Sequence, residues 1–247
     1  MRATFGKTLI LILTGVGFCD DASQRTLGHV ALNAKPMSLK GRLFACLYDW
    51  ITAGPEEAGL RARRERLLEG ASGRVLEIGG GTGANLPFYG TAVEALTITE
   101  PEEPMARRLA RKARGQSRAI ELVQAPAERL PFAAASFDTV VSTLVLCTVA
   151  DQVRSLQELR RVLTPGGRLL FLEHVRSHDP NVARWQDRLN GINRFIAHGC
   201  NCNRSTLDAI RAAGFTIASV EQGELPKAPP FVRPLIVGIA EAPTGTG

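Results

Sequence analysis

Seven short apolar runs alternate with helical stretches along most of this chain. The helical stretches carry apolar residues at every third or fourth position, whereas the runs are rich in Val, Ile and Leu. Such runs are typical of strands that are buried on both faces of a parallel sheet. The predicted strands are 74–78, 95–99, 120–123, 139–142, 168–173, 216–220 and 235–240, and the predicted helices between them are 103–114, 151–163, 182–196 and 205–213. The pattern therefore predicts one α/β domain with a mainly parallel seven-stranded sheet and helices on both faces.

Helical periodicity begins before the first strand. Apolar and aromatic residues at 43, 44, 47, 48 and 51 have helical spacing, and Gly54-Pro55 breaks this pattern before a second helix that ends near Leu68.

The segment before Met37 does not share the pattern. Its apolar run at 9–18 is shorter than the roughly 20 residues that span a bilayer. The run has the length of a signal-peptide core, but no small-x-small cleavage site follows it. Met37 stands where periodicity begins and would serve as a start codon. We therefore expect residues 1–36 to be a dispensable tail, or a segment that touches a membrane surface, and residues 37–247 to form the domain.

Composition narrows the classes of partner and compartment. The 247 residues are 45% apolar and 22% charged, with a net charge of +6, which is typical of a soluble globular domain. The basic runs alternate with carboxylates or have helical spacing, so we expect solvated helix faces and no nucleic-acid partner. Five scattered cysteines without a C-x-x-C pair favour a reducing cytoplasm and predict neither a disulfide framework nor a metal site. The first of these basic runs contains Arg61, Arg63, Arg64 and Arg66.

A glycine-dense turn follows the first predicted strand. Glycine lets a ligand lie against bare backbone, and residues 84–86 are predicted to begin a helix whose free N–H groups face the same ligand. The spacing is G-x-G-x-G, which differs from the dinucleotide fingerprint G-x-G-x-x-G. No Lys-Ser/Thr pair follows the turn, so it lacks the side chains that bind a phosphate ligand. The glycines concerned are Gly79, Gly80, Gly81 and Gly83.

Two carboxylates flank this turn. Glu77 stands two residues before the first glycine, where it would order the cofactor. Glu100 ends the next apolar strand, where an acidic side chain can accept hydrogen bonds from both ribose hydroxyls. The loop and these carboxylates together indicate an adenosine ligand without phosphates.

This combination resembles the class I SAM-dependent methyltransferases, and the resemblance extends over about residues 40–241. Residues 121–138, ELVQAPAERLPFAAASFD, are similar to the family's adenine loop and the start of its fourth strand. Residues 159–173, LRRVLTPGGRLLFLE, are similar to its next helix, Pro-Gly-Gly turn and fifth strand. The resemblance implies a Rossmann-like fold, S-adenosyl-L-methionine as cofactor and an N-terminal helical lid. It also implies cofactor contacts from Tyr48, Glu77, Gly79, Gly80, Gly81, Gly83, Asn85, Glu100, Pro101, Ala127, Glu128 and Thr143.

A narrower resemblance concerns the acceptor. Residues 143–147 (TLVLC), 173–175 (EHV), 199–201 (GCN) with Arg204, and 233–234 (RP) resemble the alkyl-thiol methyltransferase group and its bacterial relatives. This resemblance implies S-methylation of a small, fairly apolar molecule.

Two departures leave alternatives open. Pro126 stands where many members have Asp, so an adenine contact falls to Glu128 or to backbone. The thiol group usually has Asp where this chain has His198. An oxygen, a nitrogen (including a lipid headgroup amine) or a ring carbon of a quinone-like molecule therefore stays open as acceptor. A nucleotide-dependent oxidoreductase is disfavoured by the loop spacing, and a non-enzymatic SAM-binding protein would be distinguished only by its lack of turnover.

Histidines are the candidate catalytic groups. His174 ends the fifth strand, at a crevice position, and is expected to act as an acid/base or to orient the acceptor. His198 is the second candidate and His178 the third. Methyl transfer needs no cysteine nucleophile, so Cys147 and Cys200 are expected to be small core residues.

Overall fold

A single seven-stranded sheet organises the computed structural model, which describes residues 53–197, 199–225 and 227–245. The strand order is β3-β2-β1-β4-β5-β7-β6. Strands β1 to β5 pair in parallel, whereas β7 lies antiparallel between β5 and β6. The strands are β1 Gly73–Ile78, β2 Val93–Thr99, β3 Ile120–Val123, β4 Phe137–Thr143, β5 Leu163–His174, β6 Thr216–Glu224 and β7 Pro234–Glu241. All seven predicted strands and the mainly parallel sheet are confirmed.

The helices lie close to their predicted positions. The four predicted after the first strand begin and end within two residues of the expected bounds. Asp151 and Asp179 cap two of them, because their side chains accept hydrogen bonds from backbone N–H groups of the first turn. The helices are α1 Arg61–Leu68, α2 Glu103–Ala113, α3 Gln152–Val162, α4 Pro180–Ile196 and α5 Thr206–Ala212, with a π-helical turn at Glu56–Leu60 and a 3₁₀ turn at Leu86–Phe88.

Apolar residues cover both faces of the sheet. On one face, Leu76 and Val140 belong to a buried cluster that includes residues of α3 and α5. On the other face, their neighbours Val75 and Val141 belong to a cluster with residues of α1 and α2. Because successive strand residues point to opposite faces, each central strand supplies both clusters. This three-layer packing fixes the carboxyl ends of β1, β2, β4 and β5 along one edge.

The segment after the glycine turn differs from its prediction. The expected helix from residues 84–86 is absent, and a single 3₁₀ turn, Leu86–Phe88, takes its place. Tyr89 is extended (ψ 112°) and its hydroxyl donates to Glu77, so this inward contact and the short distance to β2 leave no room for further helical turns.

The Pro165-Gly166-Gly167 segment also differs, since it belongs to β5 and not to a free turn. Its backbone pairs with the end of the chain: the Gly166 N–H donates to Pro243 O, and the Ala242 N–H donates to Gly167 O. Gly166 has φ 73°, and the pairing with β4 shifts register at this point, so the strand begins with a bulge.

Some expectations fall outside the described residues. These are the tail at 1–36, the N-terminal lid with Tyr48, and His198. Among the described helices, none is long and apolar enough to cross a bilayer.

Candidate active site

The glycine turn after β1 brings bare backbone to the carboxyl edge of the sheet. Gly79 and Gly81 have φ of 57° and 55°, a left-handed conformation that side chains disfavour. The Gly80 N–H donates to Thr99 O at 2.9 Å, which joins the turn to β2. A Cβ on Gly80 would collide with Ile98, whereas one on Gly81 would have no neighbour nearer than Gly79 O at 4.0 Å. The turn is therefore packed on its inner side and open to a ligand at Gly81.

Glu100 faces this opening from the end of β2. Its two oxygens accept hydrogen bonds from the Gly81 N–H (2.8 Å) and the Glu102 N–H (2.9 Å). The side chain is buried, and this burial raises the pKa of Glu100 to about 7. Each carboxylate oxygen has a further lone pair for a hydroxyl donor. The carboxylate beside an open Gly81 fits the ribose of S-adenosyl-L-methionine.

Glu77 lies at the base of the same turn. Its oxygens accept hydrogen bonds from Asn85 Nδ2 (2.9 Å) and from the Tyr89 hydroxyl (2.7 Å). Complete burial raises the pKa of Glu77 to about 7, although these two hydrogen bonds oppose the rise. Glu77 and Asn85 therefore fix each other's position at the base of the turn.

Arg64 corrects the expectation of a solvated basic helix face. Its side chain is buried, with the residue only 4% exposed. One guanidinium nitrogen donates to Asn85 Oδ1 and to Thr143 Oγ1, both at 2.9 Å, and Nε pairs with Glu56 at 2.9 Å. The sequence did contain a signal for this burial, since residue 64 shares one helical face with leucines at 60, 67 and 68.

The remaining predicted cofactor residues lie around this network. Thr143 ends β4 and accepts a hydrogen bond from Asn85 Nδ2 at 2.9 Å. Ala127 is buried, and Pro101 is exposed with its carbonyl accepting from Gln124. Glu128 Oε1 accepts from the backbone N–H groups at 150 and 151, so this carboxylate ties its loop to the start of α3.

Glu173 organises the loop after β4, a role that the sequence analysis missed. This buried carboxylate accepts hydrogen bonds from Ser142 Oγ (2.6 Å) and from the N–H groups of Val145, Leu146 and Cys147 (3.1 Å each). The loop passes through Leu144, whose φ is 61°. A glutamate inside an otherwise apolar strand was the available signal, because a buried carboxylate requires several donors.

His174 is buried at the end of β5. Desolvation lowers the pKa of His174 to about 4, so the imidazole is neutral near pH 7. Its Nδ1 atom is buried and has no hydrogen-bond partner among the described residues. His178 lies elsewhere, exposed beside Gln222 of the edge strand β6.

The loop after α4 packs against the end of β4. Cys147 and Cys200 are both buried as expected, and their sulfur atoms are 3.8 Å apart. The Asn201 N–H donates to Cys147 O at 2.8 Å, and Arg204 donates to two carbonyls of the β4 loop, those of Leu146 and Val149. The structure thus places Cys147 and Cys200, which were both predicted to be core residues, next to each other. Within the described ranges, no group of three or more His, Cys, Asp or Glu side chains could hold a metal ion.

An acidic residue at the end of β2, opposite a glycine turn after β1, is the arrangement with which α/β folds bind the ribose of an adenosine. A family model described as a methyltransferase domain matches residues 76–171. Thiol S-methyltransferase TMT1A of Homo sapiens is 35% identical over 178 residues, which cover 69% of this chain and 72% of the relative. The chain belongs to the class I SAM-dependent methyltransferases, with S-adenosyl-L-methionine as cofactor.

Two further comparisons bear on how specific this likeness is. A phosphatidylethanolamine N-methyltransferase of Cereibacter sphaeroides is 33% identical, over 56% of this chain and 68% of that protein. The crystal structure of the [4+2]-cyclase SpnF has a TM-score of 0.66 at 20% identity and covers 83% of this chain and 94% of that one. Since that structure has the fold and carries the name of a cyclase, the fold by itself does not identify an acceptor.

Proposed function

We propose that this methyltransferase methylates the sulfur of a small, apolar thiol. The observation that carries the proposal is the character of the acceptor edge at the ends of β4 and β5. Leu146, Cys147 and Cys200 are buried there, and the carboxylate of Glu173 is occupied by its four donors. The likeness to a thiol S-methyltransferase supports the same acceptor.

Acceptor acidity favours sulfur at such an edge. Bound S-adenosyl-L-methionine supplies a methyl group on a positively charged sulfur, which a nucleophile attacks in line. A thiol has a pKa of about 8.5, compared with about 10 for a phenol and about 10.4 for an amine. Because the Glu173 carboxylate is occupied by its four donors and His174 is a weak base, the described residues of this edge favour the acceptor that loses its proton most easily to water. An apolar edge also excludes water from the nucleophile.

We propose that His174 orients the acceptor and does not deprotonate it. A group whose pKa is about 4 is a poor base for a thiol, because the two pKa values differ by roughly 4 or more. The neutral ring still offers a hydrogen-bond acceptor, and its Nδ1 is buried without a partner among the described residues. Donation from the incoming S–H group would satisfy that atom and place the sulfur.

A turnover assay with thiols, phenols, amines and quinones tests the acceptor. Release of the demethylated cofactor should be fastest with apolar thiols, and the rate should rise with pH through the pKa of the bound thiol. Inert thiols together with turnover of a phenol, quinone or amine would refute the sulfur assignment. Turnover of a lipid headgroup amine would favour the second candidate, N-methylation, which the 33% identical relative supports.

Replacing the histidine tests its role separately. His174→Ala should lower kcat about ten-fold, the value of one hydrogen bond, and should preserve both the affinity for S-adenosyl-L-methionine and the rise of the rate with pH. His178→Ala is the matched control, since His178 is exposed beside β6. Loss of the alkaline rise in the His174 variant would instead identify this residue as the general base.

A further inference from the structure

Helix α4 buries two amide side chains and exposes a stripe of large apolar ones. Its buried side is polar: Gln186 Nε2 donates to the carbonyls of Val175 (3.0 Å) and Cys202 (2.7 Å), and Asn193 Nδ2 donates to Cys200 O (2.8 Å). One flank of its exposed side is apolar, and charged residues such as Arg184 and Asp187 are exposed beside it. A helix that packs on a domain normally buries its apolar stripe instead, so something other than the sheet must favour these outward side chains.

The apolar side forms a continuous stripe, which we call the outer face of α4. Trp185, Ile192 and Ile196 are 55%, 59% and 69% exposed, and Val182 and Leu189 between them are half-buried. The positions of all five residues follow the spacing of a single helical face, with intervals of three and four residues. Large apolar side chains that are exposed in one contiguous stripe mark an interaction surface.

The loop between β6 and β7 extends this surface. Pro230 and Phe231 line a groove of about 250 Å³ together with Val182, Trp185 and Leu189 of the outer face. The groove is partly open to solvent, and its lining residues Trp185 and Pro230 are exposed, so an acyl chain can enter it.

Charge identifies the occupant. Arg184 and Arg188 are exposed on α4, and neither forms an ion pair with a described residue. The guanidinium of Arg188 lies 5.8 Å from the centre of the Trp185 ring. The two carboxylates of this region are engaged elsewhere, because Asp187 pairs with Arg176 and Asp179 caps the helix. The border of the outer face thus carries two arginines without an ion pair to a described residue, whereas the Asp187 carboxylate of the same helix is paired with Arg176.

We propose that the outer face of α4 docks on an anionic lipid bilayer. A tryptophan and aliphatic side chains on one side, with arginines at their border, are the features of a helix that lies in the membrane interface. The apolar side chains enter the boundary between headgroups and acyl chains, and the arginines contact phosphate groups. Inward-facing amides keep α4 attached to the loop at 200–202 while its apolar side is in lipid.

Vesicle binding of the full-length chain tests this surface. The probes are vesicles of phosphatidylcholine alone and of phosphatidylcholine mixed with phosphatidylglycerol, with binding measured by sedimentation. The double variant Trp185→Ser/Ile192→Ser should lower the partition coefficient about ten-fold or more on the anionic vesicles. Arg184→Gln/Arg188→Gln should lower it about five-fold per arginine, and on the anionic vesicles only.

Matched controls come from other exposed helices. Val153→Ser on α3 and Arg111→Gln on α2 remove an exposed apolar and an exposed basic side chain outside the outer face. Both should bind vesicles like the unmodified chain. All variants should keep their melting temperature and their turnover of a water-soluble acceptor, so failure here is distinct from failure of the proposed acceptor.

Fluorescence reports which part of the chain enters lipid. In a Trp50→Phe background, Trp185 is the remaining tryptophan of the two in the sequence. Its emission should shift to shorter wavelength on anionic vesicles and be quenched by brominated lipid. Unchanged binding by both double variants would refute the proposal and assign any membrane affinity to another segment. A dimer in sedimentation velocity that Trp185→Ser/Ile192→Ser dissociates would also overturn it, in favour of a second copy as the occupant.

Discussion

Two carboxyl groups at the glycine turn both have an unusually high pKa. Burial raises the pKa of both Glu77 and Glu100 to about 7, but their surroundings differ. The oxygens of Glu77 accept hydrogen bonds from the side chains of Asn85 and Tyr89, whereas those of Glu100 accept from two backbone N–H groups, at Gly81 and Glu102. Glu100 is therefore the residue whose removal should affect the cofactor most directly.

The variant Glu100→Gln should weaken binding of S-adenosyl-L-methionine by about 2–3 kcal/mol, because a charged hydrogen-bond acceptor is lost while the shape is kept. Calorimetric titration measures this directly. Glu94→Gln, an exposed carboxylate on the same strand, is the control and should bind normally. Unchanged affinity in the Glu100 variant would refute the ribose assignment.

The shared pKa also predicts a pH dependence. The free protein holds these carboxyl groups protonated below about pH 7, and the expected ribose contact needs the ionised form of Glu100. The dissociation constant should therefore be about ten-fold higher at pH 6 than at pH 8. In Glu100→Gln this dependence should flatten, and a flat profile in the unmodified chain would contradict the prediction.

The stability of the free protein should decrease as the pH rises, whereas its affinity for the cofactor increases. Because each folded pKa of about 7 lies above the unfolded value of 4.5, each group stabilises the fold fully below about pH 4.5, and about 3 kcal/mol is lost as the pH rises from there to about 7. Because the cofactor should bind more tightly at pH 8 than at pH 6, it should also raise the melting temperature more at pH 8.

Among the helices, α1 links the sheet to the glycine turn through one buried side chain. The Arg64 guanidinium donates to Asn85 and Thr143 and pairs with Glu56. Removing one partner of such a network leaves the others buried and unpaired. The effect of substitution should therefore be much larger than for another arginine of the same helix.

We expect Arg64→Met to lower the free energy of unfolding by about 3 kcal/mol, as measured by urea denaturation. Arg66→Ala, at a position where the side chain is 66% exposed, should change it by less than about 0.5 kcal/mol. Equal losses of unfolding free energy in the two variants would refute the prediction that the buried contacts of Arg64 stabilise the fold.

Secondary structure was more predictable than side-chain contacts, for physical reasons. Continuous apolar runs indicate buried parallel strands locally, so all seven were found, and Glu77 and Glu100 could be placed beside the glycine turn from their distance along the chain. The contacts of Arg64 and Glu173 join residues 79 and 28 positions apart, which no local pattern encodes. The helix expected after the turn failed because Tyr89 is drawn inward by a buried carboxylate.

At the scale of the whole chain, the predicted tail at 1–36 stays a prediction. Deletion of residues 1–36 should leave the melting temperature and the affinity for S-adenosyl-L-methionine nearly unchanged, since helical periodicity begins only after Met37. Thermal denaturation and calorimetry of the truncated chain measure both. A truncated chain that does not fold would refute the assignment of a dispensable tail.

The loop after β4 is fixed by main-chain atoms and a single carboxylate. Glu173 accepts from three consecutive N–H groups, at Val145, Leu146 and Cys147, and every amino acid except proline supplies such a group. Substitutions at these three positions therefore keep the hydrogen bonds to Glu173 and need only preserve the packing, which is tightest at the fully buried Leu146 and Cys147. Only position 144, with its positive φ, excludes β-branched residues by backbone strain. A new acceptor preference could thus arise from a few substitutions at this edge, while the cofactor site is inherited unchanged.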